Sequence, residues 1–329
     1  MSRQSLRTAI MAATATLAEA GVPSPGADAE ELAGHLLGVS RTRLGLTPLV
    51  ESSWVDGYEA LVAQRAQRIP LQHLLGTVQF GRARLTVGPG VFIPRPETES
   101  LVEWAVKAIA EVRNPVVVDL CAGSGAIAIA ISAMRPDARV IAVERAPAAL
   151  AFARRNIVAH IDAGGTRVEL RGGDVLDERL LLDLDGLVDL VTANPPYVPD
   201  GTPVAPEVAD HDPPEAVFGG SDGLAVIKPL ISVAAGLLKV GGVLAIEHDD
   251  SQADSVPALL QARRVLDDVG EHADLAGRPR FVTATRVRMP ERAVAPVEPD
   301  VVPTGRRFGG KKSNPKKSSQ KTSKGQSGA

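Results

Sequence analysis

The chain has 329 residues, 44% of them hydrophobic and only 3% aromatic, with a formal charge of −3, which predicts a globular protein of about two domains. A single cysteine, Cys121, excludes an intramolecular disulfide and a cysteine-based zinc cluster. No run reaches the roughly 18 apolar residues needed to span a bilayer, and Thr8, Thr14, Thr16 and Glu19 interrupt the stretch 7–20 that would otherwise read as a signal peptide, so a cytoplasmic enzyme is expected.

Residues 1–70 read as a small helical domain. Leu6, Ile10, Ala13 and Leu17 recur at helical spacing, and Gly21-Val22-Pro23 ends that element. A second helix is expected from Asp28 through Leu32, Leu36 and Leu37, and a third from Gly57 to Arg68. Residues 71–96 change to short apolar alternation with glycines, as in Phe80-Gly81-Arg82-Ala83-Arg84-Leu85, and predict a β-hairpin linker.

From residue 97 to 288 strands and helices alternate, the mark of an α/β fold with a parallel sheet. Leu101, Ala105, Ala108 and Ile109 share one helix face, with Ser100 and Glu103 as an expected capping box. Strands are expected at Val116-Val117-Val118, 140–143, 168–170, 187–191 and 243–246, with helices over 126–134 and 146–159 between them. Residues 265–287 predict a terminal antiparallel pair.

Asp119-Leu120-Cys121-Ala122-Gly123-Ser124-Gly125 joins the first of these strands to a helix. Glycine lets the backbone approach a ligand closely, and a helix start offers free N–H groups. Gly123, Gly125 and Ala128 also satisfy the dinucleotide pattern G-x-G-x-x-A, with Glu144 as its ribose acid. On these residues alone a nicotinamide enzyme stays open. Three features favour S-adenosylmethionine. Asp119 would repel a pyrophosphate but attract the ammonium group of a methionine moiety. Asp174, after the third strand, can accept an adenine amino N–H. The fourth strand ends in Asn194-Pro195-Pro196-Tyr197, a turn suited to holding a planar nitrogen for alkylation. There the Asn194 carboxamide oxygen and the Pro195 carbonyl can accept the two N–H bonds of an NH2 group, and Tyr197 can stack on it. Pro195 and Pro196 stiffen the turn. Carboxyl ends of parallel strands meet at one crevice, so Asp119, Glu144, Asp174 and Asn194 are expected to line a single site.

Beyond residue 288 the chain turns to Pro, Val and Glu and then to Lys, Ser and Gly, a composition expected to be disordered. Residues 304–329 carry eight Lys and Arg and no acid, so of 36 basic residues 28 remain elsewhere against 39 acidic ones, a balance of −11. The body is therefore acidic and poorly suited to holding nucleic acid nonspecifically. The basic tail leaves ribosome or RNA contact as a secondary expectation.

Over about residues 5–287 the chain resembles the protein-(glutamine N5) methyltransferases of the HemK/PrmC family. The shared motifs are Pro70 to Gly76, Ile93-Pro94-Arg95-Pro96-Glu97-Thr98-Glu99, Asp119 to Gly125, Asn194 to Tyr197 and Phe218-Gly219-Gly220-Ser221-Asp222-Gly223-Leu224. The Pro-Arg-Pro-Glu-Thr-Glu stretch is the most family-specific, since Asn-Pro-Pro-Tyr also occurs in adenine N6-methyltransferases. The resemblance implies a Rossmann-like class I S-adenosylmethionine-dependent sheet behind a helical domain that docks class 1 peptide-chain release factors. It implies that Asn194 to Tyr197 grip the glutamine of a Gly-Gly-Gln motif, and that Arg95 and Thr98 lie near the cofactor. Two departures stand out: Glu247-His248-Asp249-Asp250 replaces the usual Glu-Ile-Gly, and Asp212-Pro213 replaces Glu-Pro. A ribosomal-protein glutamine, an adenine of DNA or RNA, and a non-catalytic adapter role remain as alternatives.

Overall fold

The N-terminal residues fold around one small core, and the computed structural model describes residues 3–177, 179–274 and 276–288. The tail from residue 289, expected above to be disordered and basic, lies outside the described residues. Strand β1 (Arg3–Ser5) runs into helix α1 (Leu6–Glu19), capped by the Ser5 side chain; α2 (Pro25–Leu37) follows, then β2 (Leu49–Glu51), antiparallel to β1, and α3 (Ser52–Ala66). Leu6, Ala13 and Leu17 of α1 meet Leu32 of α2 and Tyr58 of α3 in the core, as the helical spacing requires. The Tyr58 hydroxyl donates to the Ala29 carbonyl at 2.8 Å, which satisfies its buried polar end. The β1–β2 pair was not anticipated, because three-residue strands show no periodicity.

A short helix α4 (Leu71–Leu75) leads into the hairpin of β3 (Thr77–Phe80) and β4 (Ala83–Thr86). Phe80 and Leu85 of the hairpin are buried against the main domain. Helix α5 (Glu99–Ala108) then begins directly from a 3-10 turn over Pro96–Thr98. The expected capping box is therefore absent: Ser100 Oγ donates to the Glu97 carbonyl at 2.7 Å, because the turn leaves no extended residue at which a cap can form.

The main sheet is assembled from β5 (Val116–Leu120), α6 (Ala126–Met134), β6 (Arg139–Glu144), α7 (Pro147–Asp162), β7 (Val168–Gly172), β8 (Val188–Ala193), α8 (Pro206–His211), α9 (Pro214–Val217), α10 (Ile227–Leu237), β9 (Leu238–Glu247), α11 (Ser255–Gln261), β10 (Leu266–Ala273) and β11 (Pro279–Arg286). Its strand order is β10-β11-β9-β8-β5-β6-β7, parallel except for β11, which is antiparallel to both β9 and β10. Side chains alternate across it. Val118, Leu120, Ile141 and Val143 join the core under α10 and α11, whereas Val117, Val140 and Ala142 join the one under α5 and α6. Both faces are covered, which is why these strands read as continuous apolar runs. The chain runs from β5 outward to β7, then crosses back to β8 on the other side of β5. That reversal opens a crevice at the carboxyl ends of β5, β6, β7 and β8, where this doubly wound α/β arrangement places ligands. Among the described residues no helix is long and apolar enough to cross a membrane.

Candidate active site

The turn after β5 is built on left-handed backbone at Cys121 (φ 61°), Gly123 (φ 56°) and Gly125 (φ 84°). It is held from β6: Ala122 N donates to the Val143 carbonyl at 2.9 Å, and Gly123 N donates to Glu144 Oε2 at 2.8 Å. The other oxygen of Glu144 accepts from the N–H groups of Arg145 and Ala146, each at 2.8 Å. Three backbone donors thus orient one carboxylate at the strand end. A Cβ placed on Gly123 would meet nothing within 4 Å, so the outer side of the turn is open. Asn156 on α7, a buried residue that the sequence reading passed over, donates to the Ser124 carbonyl and, through the Thr86 backbone, ties the turn to the hairpin. Its signal was a polar residue among Ala149, Ala153 and Ile157 on the buried face of α7.

The crevice above this turn is a cleft lined by Gly90 to Phe92, Pro94, Thr98, Ala122, Gly123, Glu144, Gly173 to Leu176, Asn194, Pro196 and Glu215. Thus Ala122, Gly123, Glu144, Asp174, Asn194, Pro196 and Thr98, expected from separate stretches of sequence, share one cavity. Asp174 Oδ1 accepts from Leu176 N at 2.9 Å, and its other oxygen faces Arg145 at 3.4 Å.

Five expected residues do not reach the cleft wall, among them Gly125, which is buried. Asp119 has no exposed surface, and its Oδ1 accepts from the Thr192 hydroxyl of β8 at 3.0 Å. It therefore ties β5 to β8 through its register partner Thr192 and lies buried on the sheet face, where the expectation had it at the strand mouth. Arg95 turns away to pair with Asp212 at 2.5 Å, its guanidinium 4.8 Å from the centre of the Phe92 ring. Asp212, one of the two departures, is thus the partner of the family-specific arginine. Pro195 is buried. Tyr197 packs against the core, and its hydroxyl donates to Glu247 Oε1 at 3.0 Å, so its ring is not free to stack on a bound group.

Burial pushes the Asp119 carboxyl up to about 7, against the pull of the Thr192 hydroxyl. A carboxyl raised on folding keeps its proton where the unfolded chain has released it. Stability from this group is present at low pH and is lost as pH rises from the ordinary carboxyl range to about 7. Relative to Asp119→Asn, the protein is expected to lose up to about 4 kcal/mol of stability over that window. Urea unfolding of both proteins at pH 5 and pH 8 checks this; a difference that does not change with pH would refute it.

The Asn194 side chain stands at the end of β8, with Nδ2 donating to Thr98 Oγ1 at 3.4 Å. The backbone behind it is supported by a motif whose purpose was not evident from sequence. Gly219 and Gly223 lie against the turn so closely that a Cβ would sit 2.5 Å from the Pro196 carbonyl oxygen and 2.0 Å from that of Tyr197. Gln252 Nε2 donates to the Tyr197 carbonyl at 3.0 Å. The second departure, His248, is fully buried: Nδ1 lies 2.8 Å from the Asp249 carbonyl oxygen and Nε2 lies 3.1 Å from both oxygens of Glu271. A carbonyl only accepts, so Nδ1 carries a proton.

The helical domain is fastened to the segment that follows Asn194 to Tyr197. Glu207 on α8 accepts from Arg65 at 2.8 Å and, in bidentate fashion, from Arg68 at 2.8 and 2.6 Å, while Arg65 also pairs with Asp28 at 2.8 Å. Planar guanidinium pairs of this kind fix geometry as well as charge.

Residues 8–76 match the family model described as PrmC N-terminal domain, and residues 88–210 match that of the methyltransferase small domain. Over 283 residues the chain is 56% identical to the release factor glutamine methyltransferase of Mycolicibacterium smegmatis, spanning 86% of this chain and 98% of that protein. It is 49% identical over 285 residues to the protein of the same name from Mycobacterium tuberculosis, spanning 85% of this chain and 91% of that protein. Against the Streptomyces coelicolor protein of that name the identity is 49% over 278 residues, or 83% of this chain and 95% of the other. The sheet is accordingly a class I methyltransferase fold and the protein an enzyme. With a parallel switch-point cleft, the glycine turn and the Asn194 corner in one place, and relatives matched nearly end to end, the chain belongs to the release factor glutamine methyltransferase family.

Proposed function

We propose that this protein transfers a methyl group from S-adenosylmethionine to the side-chain amide nitrogen of the glutamine in the Gly-Gly-Gln motif of class 1 release factors. The observation that carries the reading is the Asn194 amide, turned with its nitrogen to Thr98 in the same cleft wall as Glu144 and Asp174. With Nδ2 engaged, Oδ1 is the end left to accept an N–H from a planar NH2 group.

The donor set suits S-adenosylmethionine. Glu144 keeps one unused lone pair, on Oε2, for a ribose hydroxyl, Asp174 can accept an adenine N–H, and the open face of Gly123 allows close approach. Arg145 is the sole basic side chain on the described cleft wall and already faces Asp174. That leaves a dinucleotide pyrophosphate without a counter-charge. Asp119 acts indirectly, by holding the strand that carries the turn. When bound, S-adenosylmethionine supplies an electrophilic methyl group on a sulfonium centre. The chain's part is to hold the acceptor nitrogen. An amide nitrogen is a poor nucleophile because its lone pair is delocalised. A hydrogen bond from its N–H to Asn194 Oδ1 returns electron density to it and fixes its direction, and positioning of this kind contributes several kcal/mol.

Glu144→Ala removes the ribose acceptor and the support of the Gly123, Arg145 and Ala146 amides together. It is expected to weaken S-adenosylmethionine binding about a hundredfold, or ~2.7 kcal/mol, by calorimetry. Unchanged affinity would remove Glu144 from the donor site. The acceptor is tested by incubating the protein and labelled S-adenosylmethionine separately with a class 1 release factor, ribosomal protein and an adenine-containing oligonucleotide. Label is expected in the release factor. Label in the oligonucleotide or the ribosomal protein instead would overturn the reading.

A further inference from the structure

Pro213, Glu215 and Ala216, which line the cleft, stand on a strap over residues 198–219 that leaves the Asn194 corner and returns to it. Its two ends are zipped together: Val198 N donates to the Val217 carbonyl at 3.0 Å, Gly219 N to that of Val198 at 2.9 Å and Asp200 N to that of Gly220 at 3.0 Å. Between these ends the backbone bonds of the strap run only to its own residues. Helix α8, midway along it, buries no side chain fully, so apolar packing does little to fix it. Ion pairs hold it instead. Glu207 accepts from Arg65 Nη2 at 2.8 Å and from both Nε and Nη2 of Arg68, and Asp212, just after α8, accepts from Arg95. Arg68 takes a left-handed backbone (φ 66°), in which glycine is unstrained and a residue with a side chain is not. The chain keeps an arginine there, and its guanidinium is the fork that grips Glu207.

We propose that Glu207 is a positioning residue for methyl transfer: gripped by Arg65 and Arg68, it fixes the strap and with it the part of the cleft wall made by Pro213, Glu215 and Ala216. The grip is set from the helical N-terminal part. Arg65 is also held by Asp28 at 2.8 Å and donates to the Ile69 carbonyl at 3.1 Å, so its guanidinium has a fixed direction. The bidentate pair with Arg68 then defines an angle as well as a distance, which a single point charge does not. Pro213 follows Glu207 by only six residues, so a tilt of α8 is passed to the wall. The hydrogen bonds that hold Gly123, Glu144 and Asp174 do not involve the strap. A loosened strap therefore misplaces the acceptor and leaves the donor's contacts intact. A shift of about 1 Å is enough to slow a reaction about 100-fold.

This inference rests on the reading of the cleft as the site of release-factor methylation. Its test uses the full-length protein, S-adenosylmethionine and a class 1 release factor, with Glu207→Gln, Arg68→Gly, the two combined, and Glu30→Gln as control, since Glu30 pairs with Arg41 on the surface of the same helical part. In the factor-free protein, hydrogen exchange of peptides covering 206–217 is expected to rise about tenfold in Glu207→Gln and Arg68→Gly, with the sheet unchanged. At saturating factor kcat should fall about 10- to 100-fold, with donor affinity by calorimetry within about threefold of the parent. The combined variant should lose no more than Glu207→Gln alone, because the two side chains form one contact. Glycine relieves the backbone at residue 68, so Arg68→Gly should lose kcat at an unfolding temperature close to the parent's, a split that a merely structural pair would not give. It also tests the grip if Glu207→Gln folds poorly. Unchanged exchange over 206–217, losses of kcat that multiply in the combined variant, or an equal loss in Glu30→Gln overturns the proposal. If the parent methylates the factor and Glu207→Gln does so at parental kcat, the role of Glu207 alone is refuted. If the parent leaves the factor unmethylated, the functional reading fails and the positioning role falls with it.

Discussion

Asn194→Ala is expected to lower kcat for methyl transfer about 100- to 1,000-fold while leaving S-adenosylmethionine affinity within a few fold, the pattern left by removing an interaction that matters at the transition state. The size follows from what the side chain does. It offers a pre-oriented acceptor, already held by Thr98 at 3.4 Å, to a nitrogen whose lone pair becomes available only as its N–H bonds are polarised. Alanine removes that acceptor and leaves the substrate amide free to rotate. The donor's neighbours Gly123, Glu144 and Asp174 stand at or beyond the ends of β5, β6 and β7, and the hydrogen bonds that hold them do not pass through Asn194. Single-turnover kinetics together with calorimetry separate the two quantities. Equal losses in both would mean that Asn194 serves the donor, and the assignment of the acceptor site would fall.

Gly223→Ala is expected to destabilise the protein by about 3 kcal/mol or more and to abolish most turnover, although residue 223 touches neither ligand in this reading. Two costs combine. Gly223 has φ +70°, where a side chain is strained, and its Cβ would lie 2.0 Å from the Tyr197 carbonyl oxygen and 2.4 Å from Gln252 Nε2. The carbonyl belongs to the turn that carries Asn194, so relief must come from moving that turn or breaking the Gln252 bond to it. Gly186→Ala provides the control. Its φ is +67°, but a Cβ there meets nothing within 4 Å, so only the backbone cost of about 1–2 kcal/mol applies and turnover should survive. Urea unfolding and kcat for the two variants distinguish overlap from strain. Matching losses in both would show that the contact with Tyr197 carries no weight.

The elements that read clearly in the sequence are those whose signals are local. Helix α6 begins and ends at Ala126 and Met134 as the apolar run predicts, and each of the parallel strands β5 to β9 overlaps its expected stretch, β8 starting one residue later. Glycines at positions 123 and 125 and the Asn194 corner after β8 were legible for the same reason, since a turn between strand and helix announces itself within a few residues. What stayed hidden depends on pairs far apart in the chain. Arg95 meets Asp212 across 117 residues, and that partner, not a ligand, decides where its side chain goes. Asp119 reads as a strand-end acid, but it is buried on a sheet face beside its register partner Thr192, 73 residues on, whose hydroxyl donates to it. Gly219 and Gly223 belong to a motif legible in the sequence, but its task shows only when the carbonyls of Pro196 and Tyr197 are found against them. Tyr197 was legible as part of a motif but not in its task, because Glu247 lies 50 residues away. His248 likewise finds Glu271 only through the pairing of β9, β11 and β10.

The central claim, that this cleft methylates a glutamine amide held by Asn194, is tested most directly by locating the methyl group. A class 1 release factor incubated with the protein and S-adenosylmethionine, digested and fragmented in the mass spectrometer, should carry a single added methyl on the side-chain amide of the glutamine in its Gly-Gly-Gln peptide. The modification should vanish when Asn194→Ala replaces the parent protein. A methyl group on any other residue of the factor, or an unmodified Gly-Gly-Gln peptide from a reaction in which adenine is methylated, would contradict the account.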